Sequence, residues 1–301
     1  MLDFFQNTAL FAVLLFLNSS SSETENFEYC VYDDEVFQQN CHPDPNFTYS
    51  TDPEYLDSFP EIKIRVHLWG FNQDDGSSED KLTEDKIHES LKLLNSAFKN
   101  MKVCFELDGF DLINDSELYW TNYYKFGNKI RSGDFTRDNA LNIYIPYKFT
   151  NNNDKLRGGK MSNNRMTVNM LNYNTGILVH EVGHIFGLMH THSGYTSQHC
   201  ERVTRDENDP NYNAKCAGDR VTDTNAMPKL YGKFHKINEN CEYIGDATDC
   251  EGTPYTLEKS DIQNFMAYTQ HSCRAVFTTG QKIRAREYIA NQKPLQEMIM
   301  K

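Results

Sequence analysis

The stretch Gly176 to His192 reads GILVHEVGHIFGLMHTH. His180, Glu181 and His184 make H-E-x-x-H, and Gly187 with His190 extends it to H-E-x-x-H-x-x-G-x-x-H. On a helix of 3.6 residues per turn, His180 and His184 stand one above the other and can face a single ion. A continuing helix would carry His190 to the far side. Gly187 avoids this, because glycine reaches the left-handed conformation cheaply, ends the helix and lets the chain bring His190 back as third ligand. Three neutral imidazoles suit a catalytic zinc whose fourth position holds water with a pKa lowered to about 7. Glu181 is then the group to take that water's proton and hand it to a leaving amine. His192 is the alternative third ligand, but the spacing from Gly187 fits His190. His67, His88, His235 and His271 fall into no pattern.

The elements that must hold these residues are legible in outline. Ile62 to Trp69 (IKIRVHLW) alternates as a half-buried strand does. An acidic loop, Gln73 to Asp80, leads to a helix from Thr83 to about Lys99 with Ile87, Leu91, Leu94 and Phe98 on one face. Val103 to Ile113, Leu141 to Tyr147 and Arg165 to Met170 read as further strands, the last as an edge against which an extended substrate could pair. The order predicts an α+β fold, a mixed twisted sheet packed on the active-site helix. Residues 192 to 262 are rich in Asp, Asn, Gly and Cys and predict a loop-rich, disulfide-stabilised C-terminal subdomain. A closing helix spans about Thr279 to Asn291.

The chain of 301 residues carries a formal charge of −13, which argues against a nucleic-acid backbone and against an anionic membrane surface. ALFAVLLFL at residues 9–17 is too short to span a bilayer and fits a signal-peptide core, despite Asp3 and the absence of Lys or Arg before it. Eight cysteines and sequons at Asn46 and Asn114 agree with a secreted, extracellular protein. Three cysteines (30, 41, 104) precede the zinc helix and five (200, 216, 241, 250, 273) follow it, so a bridge crosses between the halves or thiols stay free. Cys250 and Cys273 bracket the segment around Met266, and their pairing would contribute about 3 kcal/mol by loop closure. Cys104, inside an apolar strand, reads as a buried free thiol.

At Gly187 and His190 the pattern resembles the metzincin metallopeptidases, and Asn264-Phe265-Met266-Ala267-Tyr268 matches their methionine-containing turn. Thr191 after the third His, Gly218-Asp219-Arg220-Val221-Thr222-Asp223-Thr224, Cys273, Phe277-Thr278 and Gln281 together look like the pappalysin family. The resemblance runs from Ile62 to about Ile289. It implies that Met266 underlies the zinc ligands and that Tyr268 hydrogen-bonds the tetrahedral intermediate. It also implies calcium, with Asp219 and Asp223 as oxygen donors, although Asn225 stands where the family usually has Pro. Cys30 and Cys41 read first as a plain N-terminal disulfide, and either could instead close the zinc site as a thiolate in a latent zymogen. Thr269 to Ser272, past Tyr268, offers no carboxylate to pair with a basic substrate side chain.

The expectation is therefore a secreted zinc endopeptidase acting on protein or peptide, its oligomeric state open. Residues 1–20 are expected as a signal peptide, 21–58 as a pro-segment or N-terminal arm, and 59–291 as the catalytic domain, divided near residue 187 into upper and lower subdomains. Residues 292–301 read as a tail. A secreted binding protein with structural zinc, or a non-peptidase hydrolase on the same scaffold, is the alternative.

Overall fold

The computed structural model describes residues 43–132, 135–150, 159–162, 164–192 and 201–301. The expected signal peptide, Cys30 and Cys41 lie outside the described residues. Helix α1 (Pro53–Ser58), capped by Asp52, leads into strand β1 (Ile62–Asn72). Helix α2 (Glu84–Phe98) starts where Thr83 caps it and buries Ile87, Leu91, Leu94 and Phe98, the spacing of three and four that the sequence carries. Strand β2 (Val103–Asn114) follows, then helix α3 (Ser116–Tyr119), strand β3 (Trp120–Asn122) and helix α4 (Tyr123–Ser132). Strands β4 (Leu141–Ile145), β5 (Lys148–Thr150), β6 (Gly159–Ser162) and β7 (Arg165–Val168) come before helix α5 (Gly176–Ile185). Helices α6 (Lys259–Ile262), α7 (Thr279–Asn291) and α8 (Lys293–Glu297) complete the order.

The main sheet has the order β2-β1-β4-β7-β6. Its neighbours are parallel except for β6, which runs antiparallel to β7. Arg165 to Met170 is therefore not the edge; β6 lies outside it. Because side chains alternate along a strand, β1 serves two cores. Ile64, Val66 and Leu68 join α2, α5, Met266 and Phe277 on one face, while Trp69 and Phe71 join Leu118, Tyr119, Phe126, Ile130, Tyr144 and Phe149 on the other. The second layer, α3 to β5, is what makes β1 buried on both faces rather than half-buried. Its strands have three residues each, too short to show alternation in the sequence, and among the described residues they pair only with one another.

Residues 292–301 are not a free tail. After α8 the chain pairs with β1, Arg65 N–H donating to Met298 O (3.0 Å) and Met300 N–H to Lys63 O (2.9 Å), and Leu295 and Met298 are buried in the main core. The segment 201–258 is built of turns and isolated bridges, as its composition predicts, around a small core of Met227, Leu230, Ile237, Ile262, Ala267 and Cys273. The expected Cys250–Cys273 pairing is incorrect: Cys273 is joined to Cys241, with Cα atoms 5.7 Å apart. Loop entropy favours neither partner, and the turn that donates Cys241 N–H to Asn238 O delivers Cys241 to that core. Cys216 and Cys250 are each in other disulfides. Cys104 is free but partly exposed, beside Glu61. No helix among the described residues is long and apolar enough to cross a membrane.

Candidate metal centre

Helix α5 is apolar on all sides and buried from Ile177 to Ile185, so the two histidines and Glu181 on it are held inside the protein. Thr175 caps its start by accepting from Ile177 N–H. At its end Gly187 adopts φ +76°. No side chain would fit there, because a Cβ would overlap the ring of Tyr288 on α7. The chain then folds back, Leu188 N–H donating to Gly183 O and Thr191 N–H to Met266 O, which delivers His190 to the helix.

His184 Nε2 lies 3.1 Å from His180 Nε2 and 3.0 Å from His190 Nε2. Nitrogens bound to a tetrahedral zinc at about 2.05 Å stand about 3.3 Å apart, so this spacing fits one ion. The tautomers agree. His180 Nδ1 donates to Phe265 O (2.7 Å) and His184 Nδ1 to Leu188 O (2.8 Å), leaving each Nε2 of the neutral ring a lone pair. Such lone pairs repel across 3 Å unless a cation or proton lies between them. Burial opposes the proton: it holds His180 and His190 well below 6.5, with further lowering from neighbouring His184 and Arg274. The donor set therefore suits a divalent metal with an affinity for imidazole. His192 stacks on His190, ring centroids 5.1 Å apart, and is not part of the three-histidine group.

Tyr268 lies beside this group, 4.3 Å from the His190 ring and 6.0 Å from that of His180. Met266 is fully buried under α5, its sulfur against Gly183. Asn264 shapes the turn: its Oδ1 accepts from Met266 N–H (2.8 Å), and its side-chain amide exchanges hydrogen bonds with that of Gln281 (2.9 and 3.2 Å). Gln281 also donates to Asp219 (3.4 Å) and, with Thr278, forms the capping box that starts α7.

Calcium gains no support. Asp219 accepts from Val221 N–H and the Thr224 hydroxyl, while Asp223 accepts from Gly280 N–H at the start of α7. Among the described residues only His180, His184 and His190 form a metal-sized cluster. Burial raises Asp219 to about 7, against the lowering effect of its hydrogen bonds from Thr224 and Val221 and of the Arg284 and Arg205 charges. The Asn225 side-chain amide donates to Asp261 (2.9 Å).

Sequence reasoning missed Gly183 and Arg284. A glycine in a helix interior costs about 1 kcal/mol and signals a close approach, which here is the Met266 sulfur. Arg284, buried on α7, donates Nε–H to Gly187 O (3.3 Å) and has no signal in the sequence.

No protein-family model matches the chain. It is 24% identical over 254 residues to an extracellular metalloprotease of Neurospora crassa, covering 75% of this chain and 74% of that protein. An extracellular metalloprotease of Sordaria macrospora is 25% identical over 245 residues, with the same shares covered. Likeness to solved structures is partial. Metalloproteinase-II of Bacteroides fragilis is 15% identical at a TM-score of 0.31, covering 56% of this chain and 55% of that one. An archaemetzincin of Methanopyrus kandleri is 11% identical at 0.30, covering 42% and 76%. These overlaps are too slight to bear on the fold.

Proposed function

We propose that the chain is a secreted zinc-dependent endopeptidase, metzincin in type and pappalysin-like in its motifs. The observation that carries this reading is the meeting of three imidazoles in a buried site, His184 Nε2 standing 3.1 Å from that of His180 and 3.0 Å from that of His190, with Glu181 next to His180 in the chain. Zinc held by His180, His184 and His190 would supply Lewis acidity and make hydroxide available near neutral pH. Phe265 O and Leu188 O fix the rings that hold it. Glu181 takes a proton from the attacking water and returns it to the departing amine. Tyr268 donates its hydroxyl to the carbonyl oxygen as charge develops there. A protein or peptide substrate lies extended along the outer side of β6 and gains main-chain hydrogen bonds.

The extracellular relatives and the apolar run at residues 9–17 support secretion. The test is Glu181→Gln. Zinc content stays near one per chain while cleavage of a peptide library disappears, and a chelator abolishes cleavage by the unaltered protein. Retained cleavage by the Gln variant rejects the role of Glu181.

A further inference from the structure

Helix α7 grips the turn that carries the third ligand. Arg284 donates to Gly187 O, and the ring of Tyr288, four residues on and on the same face, occupies the space beside the Gly187 Cα. The peptide so held leads directly to Leu188, whose carbonyl accepts from His184 Nδ1 (2.8 Å). Holding Gly187 therefore holds His184 and the approach of His190.

The same helix carries a strap. The Phe47 ring covers the Arg284 guanidinium, 4.0 Å from ring centroid to charge. Glu287 accepts from Thr48 N–H (3.2 Å), the Thr48 hydroxyl (2.6 Å) and the Tyr55 hydroxyl (3.3 Å). Asn291 donates to Asn46 O (3.3 Å), and Tyr49 O accepts from the Thr222 hydroxyl (3.2 Å). Arg284, Glu287 and Asn291 share one face at spacings of three and four. Arg284 and Glu287 are both more than nine-tenths buried. Without the strap, Glu287 would lose both Thr48 donors, keeping only Tyr55 on α1, and Arg284 would lose its aromatic cover.

We propose that residues 44–50 are a fixed strap of the working enzyme, that they hold Arg284 as a positioning residue for the metal-binding turn, and that any proteolytic removal of an N-terminal segment stops ahead of Asp44. The proposal builds on the zinc peptidase reading but is read out through metal retention.

The full chain is secreted from a eukaryotic host, and the N-terminus of its zinc-loaded form is read by mass spectrometry. Zinc release to a colorimetric chelator, thermal melting, kcat and KM are compared for the unaltered chain, F47A/T48A, R284Q and R284K. The expected N-terminus lies at or ahead of Asp44. F47A/T48A releases zinc about tenfold faster, with kcat lowered and KM nearly unchanged, and R284K, which keeps a donor, retains zinc better than R284Q. An N-terminus beyond Thr48, or unchanged zinc release in F47A/T48A, overturns the proposal. Where that double variant fails to fold, the N-terminus decides. A chain that retains zinc yet cleaves no peptide sinks the peptidase reading alone.

Discussion

Gly183 and Met266 meet in a contact that leaves no room for a side chain: a Cβ on Gly183 would stand 2.5 Å from the Met266 sulfur. The contact joins the helix carrying two of the three histidines to the turn that carries Tyr268. Phe265 O, on that turn, receives the His180 hydrogen bond, so the spacing between helix and turn also sets the orientation of a ligand ring.

Gly183→Ala is expected to destabilise the protein by about 1–3 kcal/mol through overpacking, despite the better helix propensity of alanine. Combining it with Met266→Ala gives a loss smaller than the sum of the two, because the cavity from one change accommodates the other. Thermal melting of the four forms measures this coupling, and simple additivity would show that the two residues do not meet.

Gly187→Ala is the more damaging substitution. The residue sits at φ +76°, where a Cβ costs about 1–2 kcal/mol, and overlap with the Tyr288 ring adds to that. Lower melting and lower zinc content than Gly183→Ala are expected, measured by calorimetry and metal analysis.

The Cys241–Cys273 bridge spans 32 residues. Replacing both cysteines by serine is expected to cost about 3–4 kcal/mol by the loop-closure model, while Cys104→Ser changes stability little. Denaturant unfolding distinguishes them. Peptide mapping without reduction tests the pairing directly, and a Cys250–Cys273 peptide would reject it.

Asp219 makes stability depend on pH. Burial raises its pKa from the ordinary 3.8 to about 7, so the folded protein keeps a proton that the unfolded chain releases. The contribution of this group to stability is full below pH 3.8, declines as pH rises through the interval, and is lost above about 7. Asp219→Asn should flatten that part of the profile, seen as a smaller fall in melting temperature between pH 4 and pH 7.5. An unchanged slope would show that another group is responsible.

The metal-binding chemistry was legible in the sequence because it is local. His180 and His184 share a helix face by periodicity alone, with Glu181 next to the first, and Gly187 declares the break that lets His190 return. Four of the five strands of the main sheet and α2 were likewise readable from their apolar runs; β6 (Gly159–Ser162) was not. What pairs with what was not. Cys273 chooses Cys241 over Cys250, and β6 rather than Arg165 to Met170 closes the sheet, through contacts between segments whose distance in space no spacing along the chain encodes. The same holds for residues 298–300, which pair with β1, and for Arg284, a charged residue of the last long helix that touches Gly187 nearly a hundred positions earlier. Short-range backbone geometry decided which residues could bind a metal; packing of distant apolar surfaces decided what holds them still.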